Sequence, residues 1–254
     1  MRISFSKSVT ESLLAKIRSG EMMSRNEKFN LIIQLSIPSI LAQVTTVLMF
    51  YIDAGMVGSL GAEPSAAIGL VEPATWLFFS LVSAVTMGFS VQVAHFIGAN
   101  DFAKARAVMR HGYIFGLCFA LFLLLITFLI GYRLPVWLGG GADIQHDATV
   151  YFLIFSLIIP FHLIEYMSAA MLKVSGDMRR PSFMAILMCV LDVIFNYFFI
   201  FPTRTVSLFG VEVTMPGLGE GVAGAALGSL LSFVCVALPL AYYAIFRSPI
   251  LAWK

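Results

Sequence analysis

Six long apolar stretches, none of them containing a lysine or an arginine, leave this chain little choice of fold. They run over about 30–58, 67–97, 111–132, 148–172, 182–203 and 222–246. A bilayer core takes roughly 20 apolar residues of helix, and in lipid a helix satisfies its own backbone. Each stretch is therefore predicted to be a transmembrane helix, and the chain an all-α polytopic membrane protein. The first two are longer than one crossing needs, so they must tilt, kink or project beyond the lipid. Composition agrees, because charged residues make up only 12% of the chain. Soluble domains carry roughly 25%.

Charge placement then orients the spans. The 16 basic residues all fall in connections. Arg2, Lys7, Lys16, Arg18, Arg25 and Lys28 precede span one. Lys104, Arg106 and Arg110 follow span two, Lys173, Arg179 and Arg180 follow span four, and Arg247 and Lys254 follow span six. Only Arg133 and Arg204 fall on the opposite side. The positive-inside rule puts both termini in the cytoplasm, and an odd number of spans would scramble this alternation. A net charge of +2 is too small to imply a nucleic-acid partner. The partner that the sequence implies is the lipid bilayer.

Residues 1–28 lack the compact apolar core and small-residue cleavage site of a signal peptide. Val9, Leu13, Leu14 and Ile17 form a weak apolar stripe, compatible with a short helix on the inner leaflet or with a polar tail. Cys118, Cys189 and Cys235 sit singly in apolar runs and are read as small apolar fillers. Pro38, Pro73, Pro160 and Pro239 lie inside spans and are expected to kink them. Gly221, Gly224, Gly228 and Ser232 open span six with spacing that favours close helix packing. Leu121–Ile126 in span three has no polar face and is placed against lipid. The longest connection, about Arg204 to Gly221, has room for a small β-ribbon through Val206, Phe209, Val211 and Val213.

The polar residues inside the spans are not scattered. Ser36, Ser39, Gln43, Thr46 and Asp53 share one helical face of span one. Span two repeats the pattern with Glu72, Thr75, Ser83, Thr86 and Ser90. Two such stripes either face each other across a cleft or glue helices together by hydrogen bonds. Span five adds Asp192 and Asn196, one turn apart. Span four adds His162 and Glu165 at i and i+3, either a proton relay or a self-neutralising pair. Charges at membrane depth are costly and mark functional sites by default. The carboxylates Asp53, Glu72, Glu165 and Asp192 have no lysine or arginine in any span to neutralise them. Such a group can hold a proton or Na⁺, and competition between that ion and a substrate is a physical basis for antiport.

Four segments resemble the MATE (multidrug and toxic compound extrusion) family. They are Pro38 with Asp53-Ala54-Gly55-Met56-Val57-Gly58-Ser59-Leu60-Gly61; Gln92 with Gly98-Ala99-Asn100-Asp101; Gly176-Asp177-Met178-Arg179-Arg180-Pro181 leading to Asp192, Asn196 and Phe199-Ile200-Phe201; and Gly219-Glu220-Gly221-Val222-Ala223-Gly224-Ala225-Ala226. The resemblance implies one lobe of a transporter built from two six-helix lobes. It implies alternating access, with amphipathic or cationic small molecules exported against Na⁺ or H⁺, and no other cofactor.

On that footing Asp53, Asp192 and Asn196 are the expected cation-binding residues. Gln43, Thr46, Glu72, Thr75, Ser83 and Thr86 would line the cleft, and His162 and Glu165 would form the possible relay. The family subgroup that uses the fifth-helix pair is expected to carry Asn first and Asp second, so the order here is reversed. The expected organisation is a cytoplasmic segment 1–28, a six-helix lobe 29–246 and an end or linker 247–254. A second lobe, or a second copy, would complete the transporter in a bacterial inner membrane.

Two other readings stay open. A flippase for lipid-linked substrates would share this architecture, although spans without basic residues suit a phosphate poorly. An integral membrane enzyme would use His162 and Glu165 with His146, although no His-Glu-x-x-His or comparable metal set is present.

Overall fold

The computed structural model describes residues 12, 13, 15–17, 19–208 and 211–253. Its helices are α1 (Arg25–Gly58), α2 (Ala62–Gly98), α3 (Phe102–Gly131), α4 (Leu134–Trp137), α5 (Gln145–Ser156), α6 (Ile158–Val174), α7 (Arg179–Ile200) and α8 (Gly221–Tyr242). Strands β1 (Pro202–Leu208) and β2 (Val211–Leu218) separate α7 from α8. Among the described residues five helices are long and apolar enough to cross a membrane, and the bent pair α5–α6, taken as one span, makes a sixth.

Local chemistry sets the helix ends. Ser24 caps α1 in a reciprocal box, its side chain accepting from the Glu27 N–H while Glu27 accepts from the Ser24 N–H. Lys16 pairs with the same Glu27 at 2.6 Å. This ties the preceding segment to the helix start. Its Leu13 is buried and its Ile17 is exposed. Val9 and Leu14, predicted to share that stripe, lie outside the described residues.

Between α2 and α3, Asn100 adopts a positive φ of 58°. Asp101 then caps α3 by accepting from the Lys104 N–H at 3.1 Å. The Lys104 ammonium lies 2.9 Å from the same carboxylate. Together these contacts hold Asp101 below its ordinary carboxylate value, the Lys104 side chain contributing most.

Pro38, Pro73 and Pro239 remain inside continuous helices. Span four does not, because α5 and α6 meet at Leu157 with a 41° bend. Pro160 stands two residues into α6, where it cannot donate back across the break. Past α8, Tyr243–Arg247 form a π-helical turn.

The bundle is built around α8 and α6. Half of the α8 span is buried, against 11% for α1. The small residues of α8 explain how α7 comes so near. A β-carbon at Gly224 would collide with the Phe199 carbonyl, and one at Gly228 with the Asn196 side chain and backbone. One apolar cluster, including Met109, Met171, Leu240 and Leu251, fills the end where α3 begins. Another, including Val71, Phe78, Phe152 and Leu163, fills the opposite half.

Helix α3 is not wholly lipid-facing. It exposes Leu121, Phe122 and Leu125 but buries Ala120, Leu123 and Thr127. The buried stripe follows from its small residues, since Gly112 abuts Phe89 and Gly116 abuts Leu163. The β-ribbon forms an antiparallel pair, with Val206 opposite Val213 and Leu208 opposite Val211. Phe209 lies outside the described residues. The base of the ribbon is pinned to α7, because Arg204 donates to the Tyr197 hydroxyl at 3.0 Å and stacks over Phe201 at 4.2 Å.

Candidate functional site

The costly polar groups of α1, α7 and α8 converge on one amide. Asn196 donates from Nδ2 to Asp53 Oδ1 at 2.9 Å and to Asp192 Oδ2 at 3.0 Å. Asp192 also accepts from Ser232 Oγ at 3.1 Å. Asp192, Asn196 and Ser232 are essentially without solvent exposure, and Asp53 closes the cluster from α1. Asp192 and Asn196 lie on one face of α7 because they are four residues apart. Asp53 reaches them because it faces α7, on which α1 rests.

Both amide hydrogens of Asn196 are therefore used on carboxylates. Its Oδ1 is buried without a hydrogen-bond partner among the described residues and is turned toward Gly228. The two carboxylate oxygens that flank Nδ2 stand no more than about 6 Å apart, given ordinary hydrogen-bond lengths. No cationic side chain lies in any span. Asp192 is buried and Asp53 half-buried, and two carboxylates this close without a cation would be balanced by H⁺ or a small metal ion. Oxygens from Asp53, Asp192 and Ser232 are hard donors of the type that suits Na⁺.

Sequence reasoning grouped Asp53, Asp192 and Asn196 but read Ser232 as packing only. The available signal was that Ser232 lies four residues after Gly228, on the same face of α8. It is the only one of the four small positions whose side chain carries a hydrogen-bonding group.

The two polar stripes do not confront each other across an open cleft. On α1, Gln43 is exposed, while Thr46 Oγ1 donates to the Ala42 carbonyl at 3.0 Å. On α2, Thr75 and Thr86 are buried among the helices of the bundle. Thr75 donates to the Glu72 carbonyl and Ser83 to the Phe79 carbonyl, at 2.7 and 3.0 Å. The buried Thr86 Oγ1 has no hydrogen-bond partner among the described residues. Glu72 is exposed, and its Oε1 accepts from Trp76 Nε1 at 3.2 Å. The stripe divides because a face of α2 as wide as Thr75 to Glu72 spans both the core side and the outer side of the helix.

No hydrogen bond joins His162 to Glu165, so the structure forms no self-neutralising pair. The His162 ring lies flat on Phe79, with centroids 4.3 Å apart, and meets the edge of Phe233. Both of its nitrogens are enclosed without hydrogen-bond partners among the described residues. Aromatic packing with α2 and α8 has overridden the local i, i+3 pairing. His146 sits at the start of α5, beside Asp147 and Glu220 at a cavity of about 480 Å³. No three His, Cys, Asp or Glu side chains among the described residues are placed to hold a metal ion together.

Comparison with known proteins agrees with this architecture. Residues 38–198 match the MatE family model. The chain is 25% identical over 215 residues to a probable multidrug resistance protein NorM of Neisseria meningitidis serogroup A / serotype 4A. That alignment covers 84% of this chain and 44% of the relative. It is 21% identical to the multidrug export protein MepA of Staphylococcus saprophyticus, over 89% of this chain and 47% of MepA. Among solved structures, a MOP superfamily transporter from Pyrococcus furiosus superposes with a TM-score of 0.78 at 25% identity. The match covers 89% of this chain and 47% of that one. The chain thus spans about half the length of the relatives it matches.

Proposed function

The chain belongs to the MatE family of membrane transporters, and from that membership we propose that it forms the N-terminal six-helix lobe of a cation-coupled multidrug efflux antiporter working by alternating access. Members of this family are transporters rather than enzymes. The observation that carries the coupling is the Asp53–Asn196–Asp192–Ser232 cluster, which gathers two carboxylates around one amide and contains no cationic side chain.

In this reading Asp53 and Asp192 take up Na⁺ or H⁺, and Asn196 holds them in register. Asp53 is the moving partner, because α1 is the least buried of the long helices. An ion arriving between α1 and α7 removes the repulsion of the two carboxylates and draws the helices together. Its release lets them part. Reversing the usual Asn/Asp order along α7 places the deeper-buried carboxylate one turn earlier, at Asp192, with Asn196 as the bridge. A second six-helix lobe, or a second copy of this one, would supply the opposite wall of the substrate path. Residues 29–246 make up the lobe, in a bacterial inner membrane, with 1–28 and 247–254 on the cytoplasmic side.

The test is Asp53→Asn in the full-length product of the gene. Ethidium efflux driven by a Na⁺ or pH gradient should fall by about tenfold or more, the scale of a lost coupling free energy. Efflux that keeps its rate and its ion dependence would remove Asp53 from the coupling site.

A further inference from the structure

The segment that follows α8 folds back onto the bundle. Past the π-helical turn Tyr243–Arg247, Ser248 starts a tight turn. Its carbonyl accepts from the Ala252 N–H at 3.2 Å and its hydroxyl from the Leu251 N–H at 3.3 Å. Leu251 is fully buried, in the same apolar cluster as Met109 of α3, Met171 of α6 and Leu240 of α8. The Trp253 N–H closes this strap on the Ile245 carbonyl at 2.8 Å. Two arginines hold it from neighbouring helices. Arg106 of α3 donates to the Ile250 carbonyl at 3.2 Å, and the Arg180 guanidinium of α7 lies over the Tyr243 ring at 4.0 Å.

The charges around the strap are unequally balanced. Arg180 is paired with Asp177, and Lys104 with Asp101. Arg110 stands one turn beyond Arg106 on the same face of α3. It is exposed and has no hydrogen bond or ion pair among the described residues. The same holds for Arg247, at the end of the π-helical turn. No aspartate or glutamate lies between Asp101 and Asp143, or between Glu220 and Lys254. Each of the two exposed guanidiniums also ends an exposed apolar stripe. Ile114, Leu117 and Leu121 continue the face of Arg110, and Leu238, Tyr242 and Phe246 lead up to Arg247. A guanidinium presents parallel N–H donors that match two oxygens of a phosphate. A phosphate joined to acyl chains therefore suits both halves of this surface, the anion at the arginines and the hydrocarbon on the stripes.

We propose that Arg106, Arg110 and Arg247, gathered by the strap 248–253, form a seat for the phosphate of an anionic phospholipid. Arg106 spends one N–H on the strap carbonyl and keeps its others for the ligand. Arg247 lies three residues before Ile250, whose carbonyl holds Arg106, so the strap brings the guanidiniums of α3 and of the π-helical turn to one place. A phosphate shared among them fastens the segment after α8 to the start of α3. The seat uses no residue of the Asp53 cluster, and it stands whether or not that cluster couples transport.

Native mass spectrometry of the purified 254-residue chain in a neutral detergent tests this. Phosphatidylglycerol and phosphatidylcholine with the same acyl chains are titrated separately. The first phosphatidylglycerol adduct should form at least about tenfold more tightly than the first phosphatidylcholine adduct. Arg110→Gln and Arg247→Gln should each weaken phosphatidylglycerol binding by about fivefold, the scale of one basic residue at an anionic lipid surface. Phosphatidylcholine binding should stay within about twofold of the parent in both. Lys28→Gln, at the exposed start of α1, and Arg133→Gln, just past the far end of α3, should leave phosphatidylglycerol binding within about twofold. Arg110 and Arg247 bond to no described residue, so their variants should keep the parent's thermal midpoint without lipid. The proposal is overturned if the two lipids bind alike, or if either arginine variant binds phosphatidylglycerol as well as the parent. It is equally overturned if Lys28→Gln costs as much as Arg110→Gln, which would make net charge the cause. Inorganic phosphate binding the lipid-free chain as tightly as phosphatidylglycerol would also overturn it. Each of these failures leaves the Asp53 efflux test untouched, because Asp53 stays intact and no gradient is applied.

Discussion

At the scale of single residues, Asn196 is the group on which the site depends. A carboxamide offers two hydrogens from one nitrogen, and both are spent on carboxylates of different helices. Gly228 makes this possible, because any side chain there would occupy the space of the amide. Gly228→Ala should therefore lower the thermal midpoint by overpacking, at a cost of about 1–3 kcal/mol. It should also loosen Asp53 from α7, seen as faster hydrogen exchange around residues 50–57. A midpoint equal to the parent's would show that α7 and α8 can separate freely here. Asp101 gives a second prediction. Its folded-state value is depressed by Lys104, so its stabilising contribution is complete above the ordinary carboxylate value of about 3.9. That contribution is lost as pH falls through the lower, folded-state value. Amide protection over residues 102–106 should decline below about pH 4 in the parent and show no such acid step in Asp101→Asn.

Among the elements, the broken fourth span stands apart. Its two helices meet at Leu157 with a 41° bend, and Pro160 keeps the ladder from closing. Below the break, His162 is clamped between Phe79 and Phe233. Pro160→Ala should restore one backbone hydrogen bond and straighten the span. Spin labels at positions 146 and 173 should then move apart by up to about 2 Å, from the 1.5 Å rise per residue of two legs at this angle. An unchanged distance would mean that packing against α2 and α8, not the proline, sets the bend. The α7–α8 pair is the contrasting element, fixed by close backbone approach at Gly224 and Gly228.

For the whole molecule, the distribution of basic residues predicts topology. Six crossings with both ends on one side place Asp143 outside and Asp177 inside. In a background with Cys118, Cys189 and Cys235 replaced by alanine, cysteine at 143 should react with an impermeant maleimide added to intact cells. Cysteine at 177 should react only after lysis. The opposite pattern would invert the lobe in the membrane.

Sequence alone determined the solvent and hence the fold class. Six apolar runs free of lysine and arginine can satisfy their backbones in lipid only as helices, and their flanking charges predict the number of crossings. It also determined that Asp192 and Asn196 share a face, since that follows from helical period alone. Tertiary structure decided everything that joins two helices. It brought Asp53 to Asn196 across 143 positions of sequence, made Ser232 a partner of Asp192, and turned Thr75 and Thr86 inward. It also gave His162 to an aromatic stack in place of Glu165. The physical reason is one of range. Periodicity fixes which residues share a face of their own helix, but the small residues of a neighbour decide which faces can approach closely enough to bond.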